Sequence, residues 1–106
     1  MPKYLAHASY TTEGLKGLLK DGGTKRKKAV EQLAESMGGS VEGFYYAFGD
    51  DDLFVIFDLP DNISATTGSM IVNASGAAKV KMTVLLTPEE IDQAAQRSVE
   101  YSPPGR

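Results

Sequence analysis

The sequence has no cysteine, no tryptophan and a single histidine, His7. Without cysteine there can be no disulfide, zinc–thiolate site, iron–sulfur cluster or cysteine nucleophile. One histidine leaves the chain short of ligands for a multi-histidine metal centre. Neither sign of charge dominates: 11 Lys and Arg stand against 14 Asp and Glu, a net charge of −3. Such a surface offers nucleic acid no general electrostatic hold. No apolar run approaches the ~20 residues of a membrane-spanning helix, and no basic segment leads into an apolar one as an export signal does. The expectation is a soluble, cytoplasmic protein with no nucleic-acid or membrane partner and no cofactor.

What is present is the material of one domain. The chain has 106 residues, 42% hydrophobic and 24% charged, close to the averages for globular proteins. Lys3 to Tyr10 reads as a strand with uncharged faces, Tyr4, Ala6, Ala8 and Tyr10 on one and Leu5, His7 and Ser9 on the other. Thr11 to Lys20 predicts a short helix weakened by Gly14 and Gly17. A second helix is expected from Thr24, capped by that threonine, with Val30, Leu33, Ala34 and Met37 on one face and Gly38-Gly39 ending it. Val41 to Phe48 and the nearly continuous apolar run Leu53 to Leu59 predict two strands joined at Gly49-Asp50-Asp51-Asp52. Asp61 should cap a further helix carrying Ile63, Thr67, Met70 and Ala74. Ala77 to Leu86 alternates as a strand. Thr87-Pro88-Glu89-Glu90 is a helix start with a capping box, and that helix is expected to turn Ile91, Ala94 and Ala95 inward. Tyr101 to Arg106 reads as an extended tail.

This order predicts an α+β domain of the ferredoxin-like βαββαβ type with an added C-terminal helix. Its four strands form one antiparallel sheet, with helices 24–37 and 61–75 on one face. Apolar side chains nevertheless point both ways from the strands, as Phe54 and Ile56 alternate with Leu53, Val55 and Phe57. A second copy pressed against the open face would bury the excess, so a homodimer or higher homo-oligomer is expected.

A set of short motifs then carries a resemblance. Met1-Pro2-Lys3-Tyr4, Ala8-Ser9-Tyr10-Thr11, Glu13-Gly14, Leu18-Leu19-Lys20, Gly22-Gly23 and Arg26 are similar to the GYD-domain family. So are Phe48-Gly49, Asp52, Leu59-Pro60-Asp61-Asn62, Val72-Asn73-Ala74-Ser75-Gly76, Leu86-Thr87-Pro88-Glu89-Glu90 and Tyr101-Ser102-Pro103-Pro104-Gly105. The resemblance spans nearly the whole chain and implies an assembly like the dimeric α/β-barrel group. That group includes monooxygenases, isomerases and haem enzymes, an analogy of fold that names no reaction for this chain. In the family's naming motif Gly-Tyr-Asp, Asp51 here stands at the tyrosine position and Asp52 at the aspartate position.

Candidate chemistry centres on one sheet face. His7 and Ser9 share it, and a neighbouring last strand would add Lys81 and Thr83. Such a polar set on otherwise apolar strands needs partners, water or a ligand. With Tyr46 against its flat face, the expected ligand is small, and anionic or aromatic. A lone histidine held by a neighbouring strand is the plainer reading of His7. Asp50-Asp51-Asp52 lacks the spacing of a calcium loop and reads as a solvated turn in which Asp52, at the family's motif aspartate, is expected to accept backbone hydrogens. Lys25-Arg26-Lys27-Lys28 reads as a solvated helix face. No phosphate loop, serine-nucleophile motif or catalytic carboxylate pair is present. Two classes of function follow: a small-molecule-binding or sensing module, with a cavity between sheet and helices or between subunits, and a cofactor-poor enzyme of monooxygenase or isomerase type.

Overall fold

The computed structural model describes residues 1–106. The elements run β1 (Lys3–Tyr10), α1 (Thr12–Asp21), α2 (Gly23–Ser36), β2 (Ser40–Tyr46), β3 (Leu53–Asp58), α3 (Asn62–Ala74), β4 (Ala78–Leu85) and α4 (Pro88–Gln96). The strands form one antiparallel sheet in the order β2-β3-β1-β4, so the fold is the expected α+β ferredoxin-like one. No helix is long and apolar enough to cross a membrane.

Strand alternation places the core. Tyr4, Ala6, Ala8, Leu53, Val55, Phe57 and Leu59 are buried on one side of the sheet, against Ala34 of α2 and Ala65 of α3. Small residues let the helices sit close: a Cβ on Gly68 of α3 would come within 2.7 Å of the Met37 sulfur. The Tyr4 hydroxyl, too buried to reach water, donates to Asn62 Oδ1 at 2.6 Å, which ties β1 to the start of α3. Of the glycines, Gly14 has the least room for a side chain. A Cβ there would lie 1.8 Å from the Ala77 carbonyl oxygen, so α1 packs on the α3–β4 turn only because that residue has no side chain.

The helix ends follow sequence chemistry with one exception. Asp61 accepts from the Ser64 backbone N–H at 2.8 Å, and Thr87 and Glu90 form both bonds of the capping box. Thr24, however, caps nothing. The second helix starts one residue earlier, after Gly22 at φ 82°, without a side-chain cap. That left-handed glycine turns the chain directly from α1 into α2.

A second correction concerns the last helix. Ile91, Ala94 and Ala95 do not face inward; every residue from Leu86 to Ser102 is exposed. The capping box secures the first turn of α4, and no part of the sheet or of α1–α3 covers it. The radius of gyration, 17.0 Å, accordingly exceeds the ~13 Å of a compact chain of this size.

Candidate functional site

The two faces of the sheet offer different chemistry. On the helix side, a cavity of about 130 Å³ lies between the sheet and α2 and α3. Val30 and Leu33 of α2, Met37 just past its end, Ala6 and Ala8 of β1, and Val55 of β3 contribute to its walls. Its volume is close to the ~150 Å³ of an apolar cavity that admits benzene. Of its lining residues only Tyr10 and Arg26 bring oxygen or nitrogen from a side chain.

Those two groups sit at one end, set by the register. Tyr10 closes β1 opposite Ala78, and Arg26 occupies the first turn of α2. Arg26 forms no ion pair with a carboxylate of this chain, although it is only partly exposed. Tyr46 stands beside them and donates to the Gly23 carbonyl at 3.0 Å. Burial holds the Tyr10 and Tyr46 phenols above the ordinary tyrosine range, with the Arg26 charge pulling the other way. At neutral pH both therefore remain hydrogen-bond donors beside a cation.

The open face carries the polar set expected from alternation. His7 pairs with Lys81 in the β1–β4 register, and Leu5 with Thr83. Thr83 Oγ1 lies 3.3 Å from His7 Nε2, and Asp51 Oδ2 lies 3.2 Å from His7 Nδ1. With Nδ1 protonated, the imidazole donates to Asp51 and accepts from Thr83. The Ser9 hydroxyl lies 3.1 Å from the Asp50 carbonyl oxygen and 3.2 Å from Asp51 Oδ1. Lys81 is exposed and has no partner within the chain. At the far end of this face Lys3 reaches Asp58 and Glu42, each at 2.6 Å, and the Asp58 bond with the Glu42 bond raises its ammonium above the ordinary lysine value.

His7, Ser9 and Thr83 are thus brought together and Lys81 borders them. Tyr46 is not with them. It pairs with Leu53, a core residue, and lies on the helix side of the sheet. The cause is a bulge between Val41 and Gly43, which inserts an extra residue and reverses the alternation of β2. Two further expectations are corrected. Asp51 is not part of a solvated turn, since it holds His7 and Ser9, whereas Asp52 accepts a backbone hydrogen as expected, from the Tyr10 N–H at 2.9 Å. Arg26 is not part of a solvated basic face like its neighbours Lys25, Lys27 and Lys28, which are exposed. Its spacing of four to Val30 and seven to Leu33 was the available signal, since those intervals share a helix face.

The family model of the GYD domain matches residues 4–95, and no curated protein matches the chain.

Proposed function

The chain belongs to the GYD-domain family, and from that premise we propose that it is a homo-oligomeric module that binds a small molecule in the cavity between sheet and helices. The observation that carries this reading is the composition of that cavity. It is apolar throughout except for Arg26, a cation without a carboxylate partner, and the Tyr10 phenol, which stays protonated, with Tyr46 beside them. A ligand matched to it has a compact flat or branched apolar body and one anionic group. Arg26 supplies charge and directional donors to the anion, and the Tyr10 hydroxyl supplies a further donor. Pockets of this kind take affinity from the apolar walls and orientation from a few polar groups. The open face is read as the seat of a second copy, which places His7, Ser9, Lys81 and Thr83 in the space between subunits.

One observation favours the other class, a cofactor-poor enzyme. Asp51, His7 and Thr83 form a carboxylate–imidazole–hydroxyl chain, the arrangement used to move a proton. The cavity on the helix side includes none of these three residues, so the binding module is the better supported reading.

The test uses benzoate, with neutral benzyl alcohol as its control, in thermal unfolding and calorimetry. A bound ligand at ~100 times its Kd should stabilise the fold by about 2.7 kcal/mol. Benzoate should stabilise the wild type, Arg26→Met should abolish the effect, and His7→Leu and Lys81→Met should keep it. Equal response to both compounds, or loss of binding in the His7 and Lys81 variants alone, would overturn the cavity as the site. The second result would instead move the ligand to the open face.

A further inference from the structure

The C-terminal arm is built as though for another surface. Its helix α4 has 9 residues, shorter than the ~12–15 at which isolated helices become even marginal in water. Yet it carries a complete capping box and leaves Ile91 50% exposed, and the segment that follows it leaves Val99 84% and Tyr101 75% exposed. The molecule extends over 57 × 32 × 23 Å, its long axis reflecting this arm. A helix capped with such care and left uncovered is missing its partner.

The charges say what that partner is. The arm carries Glu89, Glu90, Asp92 and Glu100 against Arg97 and Arg106. Glu90 is occupied by the capping box, whereas Glu89 and Asp92 have no partner in the chain. On the open sheet face Lys79 and Lys81 are exposed and likewise unpaired. The spacings agree. Positions three apart on a helix stand ~5–6 Å apart, and positions two apart on a strand ~6.7 Å apart. His7 and Ser9 stand directly opposite the two lysines, and the partly exposed apolar residues of the same face, Leu5 on β1 and Phe54 and Ile56 across it on β3, lie beyond. Ile91 and Ala95 are offset from Asp92 by a fraction of a turn, so one helix can present apolar and acidic groups together.

We infer that the arm, residues 86–106, docks on the open sheet face of a second copy of this chain, with α4 alongside its Lys79 and Lys81. This rests on the assembly proposed above and adds to it: each subunit is held by a limb of the other, and the twofold relation makes the exchange mutual. Electrostatic pairing at the rim sets register and approach, while Ile91, Val99 and Tyr101 leave water.

The absence of native cysteine makes the test direct. Full-length Asp92→Cys and Lys81→Cys proteins are prepared separately, mixed and oxidised. A covalent heterodimer of twice the chain mass should form severalfold faster than from Lys81→Cys mixed with Lys20→Cys, and should be suppressed by high salt. Cross-linking of Asp92→Cys to Lys27→Cys instead would overturn the inference in favour of the basic start of α2. Cross-linking only within a chain carrying both Asp92→Cys and Lys81→Cys, at monomer mass and at any concentration, would overturn it in favour of self-docking. Light scattering on the wild type separates the two readings. A homo-oligomer without the Asp92–Lys81 cross-link removes the arm exchange and leaves the sheet-face assembly, and a monomer removes both. A second measurement reads the charges. Glu89→Lys with Asp92→Lys, and Lys79→Glu with Lys81→Glu, should each weaken self-association, and mixing the two should restore it. No recovery on mixing would count against the pairing.

Discussion

Two faces of one sheet, built from alternate residues of the same strands, reach different ends. Phe57 is 3% exposed and Val55 2%, while Phe54 and Ile56, which alternate with them, are partly exposed. One face is closed by α2 and α3, and the other by nothing in the chain. The closed face is fixed by shape, through glycine, alanine and one bulge. The open face is fixed by polar links instead: Lys3 with Asp58 and Glu42 at one end, and Asp51 with His7 and Ser9 at the other. A sheet that owes half its order to hydrogen bonds can exchange what covers that half without unfolding.

The largest expected effect separates the faces by burial. Phe57→Ala should destabilise the fold by about 3–5 kcal/mol, the cost of truncating a buried aromatic, and Ile56→Ala should cost well under half as much. Urea unfolding at low protein concentration reads both, and equal losses would erase the distinction between the faces. Next comes Gly14→Ala, which places a Cβ against the Ala77 carbonyl. Overpacking of this kind costs about 1–3 kcal/mol. Gly17→Ala, where nothing stands within 4 Å, should be neutral or stabilising because alanine favours helix. A tolerated Gly14→Ala would mean that the helical layer yields more readily than its packing implies.

The smallest effect is one of pH. Backbone bonds from Ser64 hold the Asp61 carboxyl below the ordinary carboxylate value. Its folded value being depressed, the stabilisation is complete above the unfolded value of ~3.9. It is lost as pH falls through the folded value. Asp61→Asn keeps a capping oxygen and removes the titration, so its melting temperature should fall less than the wild type's between pH 6 and pH 3. An unchanged acid dependence would assign the loss to other carboxylates, such as those around Lys3.

Much of the fold was legible in the sequence because its signals are local. β1 spans the predicted Lys3–Tyr10, and α3, β3 and β4 fall within two residues of expectation, since glycine, proline and capping residues mark their ends. His7, Ser9 and Thr83 were legible as a group because strand parity and one topological assumption suffice. Tyr46 was not, because a single bulged residue near Gly43 reverses parity and leaves no periodic trace. Asp51 was missed for a different reason: a turn residue's direction depends on the chain's return path. A cavity between sheet and helices was one of the two places expected for a ligand; its walls were not legible, because they are ordinary core residues and only the offset between α2 and the sheet leaves space. The exposure of α4 was missed because amphipathic spacing shows that a face wants covering without showing which molecule covers it.

The strand order has a consequence for how the chain becomes a protein. β1 lies between β3 and β4, so the earliest of the four strands to be synthesised acquires both neighbours late. The His7–Thr83 link joins residues 76 apart in sequence. Until β4 has emerged, β1 has a free edge, and Tyr4, Ala6 and Ala8 lack part of their layer. Pairings so distant require closure of a long loop before they return any stabilisation. Nascent chains ending before residue 85 should therefore be vulnerable to proteases over most of their length, with protection arriving in one step once the last strand is made.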